Sequence, residues 1–228
     1  MSKKLFRNLA ALCGIIGPVI LVGSFVINQA PPAGYTIAQL QDFTLQHHNG
    51  IVLGGWLQGI GSLLIVLFAI ALVHLADATQ HFAGWITQLS GATILMVSLA
   101  EVTFYLGTVQ ATEIGDTASA LSSANLIKAV QHVFLIAPAL LLPLGFVLLR
   151  SSVLPRVFAY LALVLGAILQ IFGLLGLFNV LQPVIDSLVG VQSLWFVVAA
   201  IALAIRAEGP TVVNRRVKQP ARQPESSF

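Results

Sequence analysis

Six apolar stretches, each long enough to cross a bilayer, constrain this chain more than any other feature of its 228 residues. A helical crossing needs roughly 20 mostly apolar residues. The stretches run from Leu9 to Asn28, Gly50 to Ala76, Trp85 to Gln110, Leu126 to Leu149, Arg156 to Leu181 and Ser187 to Ile205. Spanning strands would be shorter and would alternate apolar with polar positions. The expected fold is therefore all-α, a polytopic membrane protein with six transmembrane helices in one bundle. Composition agrees: 8% of residues are charged, against about 25% in soluble domains. No repeat of clear period appears, so residues 1–205 read as one transmembrane domain. Residues 206–228, "RAEGPTVVNRRVKQPARQPESSF", read as a disordered basic tail suited to anionic lipid.

The basic start "MSKKLFRN" followed by an apolar run has the outline of a signal peptide. The run is long, however, contains Pro18 and lacks a convincing early cleavage site, so it reads as a retained anchor. Charge then orients the bundle. Lys3, Lys4 and Arg7 precede the first span, Arg150 and Arg156 flank the turn between the fourth and fifth, and Arg206, Arg215, Arg216, Lys218 and Arg222 follow the sixth. With six spans these all lie on one side, and Lys128 alone lies near the other. Basic flanks favour the cytoplasm. The expected location is a bacterial inner (cytoplasmic) membrane with both termini cytoplasmic. The same scatter of basic residues explains the net charge of +3 without a nucleic-acid partner.

The sequence also has turns and packing devices. Thr36 and Gln39 have capping-box spacing, which predicts a short surface helix after "APPAGY". The segment "ATEIGDTASALSSAN" reads as a polar connector, either a short helix or exposed chain. Gly55 and Gly59, four apart, make a small face that lets another backbone approach. Gly166, Gly173 and Gly176 offer a less regular version. Such a face serves contacts inside a bundle as well as between copies, so a homo-oligomer is not required. Pro138 lacks an amide proton and clashes with the carbonyl of Phe134, which predicts a bend in the fourth span. The single cysteine, Cys13, excludes an intrachain disulfide and leaves dithiol redox chemistry without a second sulfur.

Glu101 is the residue that most needs a reason. It stands in "SLAEVTFYLG", within the third span, about nine residues or roughly 13 Å from the expected outer end. A charge in hydrocarbon is expensive, so the carboxyl must be neutral, paired or beside water. Ser98, Glu101, Tyr105 and Thr108 recur at helical spacing along one face. Asn125, Lys128 and His132 do the same at the start of the fourth span, placing His132 roughly 9 Å deep. Gln58 lies at similar depth on the second span. The expected ligand-binding set is Glu101, His132, Gln58, Tyr105 and His48, with Trp56 as an aromatic wall or interfacial anchor.

His48, Glu101 and His132 carry donor atoms suited to zinc, but "QHHNG" is not a known zinc spacing here and no His-Glu-x-x-His motif occurs. A histidine pair suits haem only in a matched, large pocket. Serine-nucleophile motifs, phosphate-binding glycine loops and dinucleotide fingerprints are absent from the sequence. No catalytic residue, metal site or cofactor is assigned.

The segment "LLPLGFVLLRSSVLPRVFAYLALVLGAILQIFGLLG", residues 141–176, resembles the later helices of a family of small bacterial multi-helix membrane proteins. The resemblance lies in the apolar span, the "LLRSSVLPR" turn and the Gly-rich span after it. It implies a bacterial inner-membrane protein and supplies no catalytic residues. The leading expectation is a membrane binding or sensing protein whose outer-half pocket takes a small amphipathic or apolar ligand. The alternatives are a small proton-linked transporter, an intramembrane zinc or haem protein, and a structural membrane protein. Membrane lipids are the expected partners.

Overall fold

The computed structural model describes residues 2–28, 31, 34–136, 140–176 and 182–206, without the side chains of residues 131–136, 174, 176 and 182–186. Eight helices are described: α1 (Lys3–Ile27), α2 (Ile37–Gln46), α3 (His48–Leu75), α4 (Phe82–Glu113), α5 (Thr117–Ile136), α6 (Leu141–Leu149), α7 (Arg156–Gly176) and α8 (Gln182–Ile205). Among the described residues, five helical segments are long and apolar enough to cross a membrane: α1, α3, α4, residues Arg156–Gly173 of α7 and residues Ser187–Ile205 of α8. The fourth expected span, Leu126 to Leu149, instead falls on two helices, α5 and α6. Pro138 and its expected bend lie outside the described residues, as do residues 207–228 of the tail.

The helix ends follow from local chemistry. Ser2 caps α1, its Oγ accepting from the Leu5 amide at 3.2 Å. Thr36 and Gln39 form the expected capping box: the Thr36 amide donates to Gln39 Oε1 at 2.8 Å and the Gln39 amide to Thr36 Oγ1 at 3.3 Å. The polar connector of the sequence reading is mostly helix. α4 runs on to Glu113 and stops at Gly115, whose φ of 73° lets the Gly115 amide reach Thr112 O and the Asp116 amide reach Ala111 O. This is a Schellman stop. Asp116 then starts α5 by accepting from the Ser119 amide at 3.1 Å and from its hydroxyl at 2.6 Å. Those bonds favour the ionised form and hold the Asp116 carboxyl below the usual carboxylate range.

The helices pack in the order α8, α1, α3, α4, then α5 and α6, then α7, with a lighter contact from α7 back to α8. Neighbours run antiparallel. Gly14 meets Phe68 while Gly54 meets Asn28; Gly84 approaches the α3 terminus while Gly55 meets Val102; Gly145 meets Leu163 while Gly166 meets Leu142. This alternation gathers Lys3, Lys4, Arg7, Arg150, Arg156 and Arg206 at one end of the bundle. Lys128 sits toward the other, its ammonium 4.6 Å from the Tyr35 ring centroid.

α1 and α3 approach each other closely, backbone to backbone. A Cβ at Gly61 would meet the Leu21 amide nitrogen at 2.7 Å and the Gly17 carbonyl at 2.9 Å. Gly55 and Gly59 face Val102 and Leu99 of α4, at 3.3 and 3.4 Å from a built Cβ, so their small face serves a contact inside the bundle. A dense apolar core fills the half nearer the basic end, built on Phe68, Leu72, Leu144, Leu148, Phe196 and Leu203. Gln58 and Ser62 of α3 and Ser98 and Glu101 of α4 lie beyond it.

Candidate functional site

α3 and α4 meet along a seam that is polar at two successive turns. Gln58 Nε2 donates to Glu101 Oε2 at 2.6 Å. One turn along, the hydroxyls of Ser62 and Ser98 lie 2.9 Å apart. Helical spacing explains the match: Gln58 and Ser62 are four apart on α3, Ser98 and Glu101 three apart on the antiparallel α4, so both pairs align. Gly55 and Gly59 keep the seam close. Glu101 is 7% exposed and Gln58 is 3% exposed, so the carboxyl is sealed from solvent and lipid and its partner is a neutral amide. Tyr105, one turn on along α4, lies on the same face and close enough to the carboxyl to interact with it.

The buried threonine hydroxyls of α4 are satisfied locally. Thr87 donates to Ala83 O and Thr108 to Phe104 O, at 2.8 and 2.9 Å. Ser90 Oγ is buried with no hydrogen-bond partner. Glu101 and Ser98 thus differ from the threonines of their helix: their partners come from another helix, 43 and 36 residues away in sequence.

The site sits deeper than the sequence boundaries suggested. α4 extends to Glu113, twelve residues past Glu101, so Glu101 is about 18 Å from that helix end. Gln58 is ten residues from the start of α3, about 15 Å. Half the hydrocarbon thickness is also about 15 Å. The seam therefore lies near the middle of both helices.

Of the residues expected to share the site, the structure brings together Glu101, Gln58 and Tyr105. His48 stands elsewhere: its Nε2 is 3.0 Å from Glu113 Oε1, and its Nδ1 is 3.1 Å from Asn49 Oδ1. That contact joins the ends of α3 and α4, a full ten residues from Gln58. Trp56 is 65% exposed and turns away from the seam. His132 lies on α5, and its side chain is outside the described residues. Gly107 against Ser123 sets the α4–α5 register. It brings residue 129 level with Glu101 and the His132 backbone about one turn, roughly 4.5 Å, further along. Ser62 was missed by the sequence reading; its spacing from Gln58, matched to Ser98 and Glu101, was the available signal. Among the described residues, no three His, Cys, Asp or Glu side chains are grouped to hold a metal ion.

A family model described as a domain of unknown function, DUF4386, matches residues 9–206. The chain belongs to the DUF4386 family. The match takes in every helix from α2 to α8 and all but the first turns of α1, so the seam at Glu101 lies inside the family domain. No curated protein and no solved structure matches the chain. The protein is thus an all-α, multi-pass membrane protein of the DUF4386 family, with a buried carboxyl–amide pair between two of its spanning helices.

Proposed function

We propose that this protein binds a small amphipathic or apolar ligand within the membrane, with Glu101 and Gln58 orienting the ligand's polar end. The observation that carries the reading is the Gln58–Glu101 hydrogen bond, buried near the middle of two spanning helices. Serine, threonine or glutamine would hold two helices together without a titratable group. A carboxyl adds the capacity to change its hydrogen-bonding character with protonation, and intramembrane carboxyls mark functional sites by default. Tyr105 contributes a hydroxyl from the same helix, and His132 on α5 is proposed as the fourth polar group. The apolar residues of neighbouring helices would hold the remainder of the ligand.

The same reading takes α5 and α6 as one crossing, which makes six. It places the basic end, with both termini, on the cytoplasmic side of a bacterial inner membrane. Residues 206–228 are then a cytoplasmic tail.

The test is native mass spectrometry of the protein released directly from bacterial membranes. A stoichiometric small-molecule adduct is expected on the wild-type chain. Glu101→Gln and His132→Ala should each weaken its retention about tenfold, equal to about 1.4 kcal/mol, while the unfolding temperature changes little. Absence of any adduct, or losses that merely follow stability, would overturn the reading. Ligand-driven proton flux in proteoliposomes, abolished by Glu101→Gln, would assign transport instead.

A further inference from the structure

The turn between α3 and α4, the start of α4 and the length of α6 enclose a groove of about 510 Å³ at the basic end of the bundle. That volume lies within the roughly 300–1,000 Å³ of small-molecule sites. Its floor is apolar, with Ala78 and Val147 buried. Its rim carries two large aromatics that the bundle leaves uncovered, Phe82 at 81% exposure and Phe146 at 51%. Arg150 and His81 supply the polar part of the lining. Among the described residues, no carboxylate lines the groove, and no acidic residue occupies the first turn of α4. The nearest acid in sequence, Asp77, is exposed in the adjoining turn. Arg150 has no side-chain ion pair among the described residues.

We propose that this groove is a binding site for one anionic phospholipid, its phosphate held by Arg150 and His81 and its glycerol and first acyl carbons lying over Phe82 and Phe146. A guanidinium matches a phosphate with two parallel hydrogen bonds, which an ammonium cannot do. The end of the bundle that gathers the basic residues faces the anionic leaflet on the orientation proposed above, and each such residue adds attraction to it. The aromatic rim selects the source of the phosphate. A soluble anion would leave Phe82 and Phe146 uncovered, whereas a lipid covers them and satisfies Arg150 together. This site lies at the opposite side of the core from Glu101, so it stands or falls separately from the ligand proposed there.

The experiment uses the full chain, purified in mild detergent and incubated with equal amounts of phosphatidylglycerol and phosphatidylcholine, with bound lipid counted by native mass spectrometry. One phosphatidylglycerol per chain is expected, at least fivefold over phosphatidylcholine. Arg150→Gln should bring that preference below twofold, and Arg150→Lys, which keeps the charge but not the paired geometry, should fall between. Arg156→Gln removes a basic residue at the same end that does not line the groove, and should leave the preference intact. Phe146→Ala should lower lipid retention. The proposal is overturned if neither Arg150 variant changes the preference, or if Arg156→Gln lowers it as much as Arg150→Gln, which would mean diffuse attraction. Displacement of the lipid by an equal amount of glycerol phosphate would also overturn it, by assigning a soluble anion.

Discussion

Replacing Gln58 with leucine should expose how strongly α3 and α4 are coupled through Glu101. The substitution keeps a side chain of similar size but removes the amide that donates to Glu101 Oε2 at 2.6 Å. The carboxyl stays 7% exposed, so water cannot take the amide's place. A buried polar group stripped of its partner costs about 1–3 kcal/mol in water-soluble proteins. Within membranes the unfolded reference state also finds partners, and coupling energies average about 0.6 kcal/mol with a ceiling near about 1.7. The short contact, the carboxyl acceptor and the near-complete burial place this pair in the upper part of that range, at about 1–1.5 kcal/mol. The Ser62–Ser98 contact is neutral and longer, at 2.9 Å, and should give about 0.5 kcal/mol. The assay is a double-mutant cycle of Gln58→Leu, Glu101→Leu and the pair, by reversible unfolding in mixed lipid–detergent micelles. The double variant should cost less than the two singles together by the coupling energy. Additivity within about 0.3 kcal/mol would refute the reasoning, because independent sites behave that way.

Further substitutions test the packing of α1, α3 and α4. Gly61→Ala places a Cβ 2.7 Å from the Leu21 amide nitrogen and should destabilise by about 1–3 kcal/mol, whereas Gly23→Ala meets nothing within 4 Å and should be neutral or stabilising by up to about 1 kcal/mol; equal effects in thermal unfolding would contradict the α1–α3 contact. Asp77 ends α3 with a positive φ of 53°, so Asp77→Gly should raise stability by about 1 kcal/mol, and a loss would show that its side chain matters more than its backbone. In a Cys13→Ala background, Ser62→Cys with Ser98→Cys should oxidise to an intramolecular disulfide in native membranes, seen as a gel shift on reduction; failure to cross-link would separate α3 from α4 at this turn.

Most of the bundle could be read in advance because each spanning helix carries its own signal. The apolar runs marked α1, α3, α4, α7 and α8, and their alternation with basic turns marked the end at which Arg150 and Arg156 lie. Boundaries were less accurate for a physical reason: hydropathy stops where polar residues begin, but helices do not. α4 runs on through Ala111 and Glu113 because the Gly115 turn, not the loss of apolarity, terminates it. That extension moved Glu101 toward the middle of the helix. The Glu101–Gln58 pairing was readable from matched depth and face. The place of His48 was not, because its partner Glu113 had been assigned to a loop. The glycines were readable as small faces but not as to their partners: Gly55 and Gly59 accommodate side chains of α4, while the closer backbone contact uses Gly17 and Gly61, which no single-helix pattern singles out.

The most direct test of the seam as a ligand site is solid-state NMR in lipid bilayers, following magnetisation transfer between the Gln58 side-chain nitrogen and the Glu101 carboxyl carbon. A strong cross-peak is expected from the 2.6 Å hydrogen bond. Adding the apolar extract of the native membrane should shift both signals together, while those of Ser151, in the turn beyond the opposite end of the core, stay fixed. A missing cross-peak would contradict the pairing itself. A cross-peak that the extract leaves unchanged would reduce Gln58 and Glu101 to a structural clasp and contradict the proposed binding function.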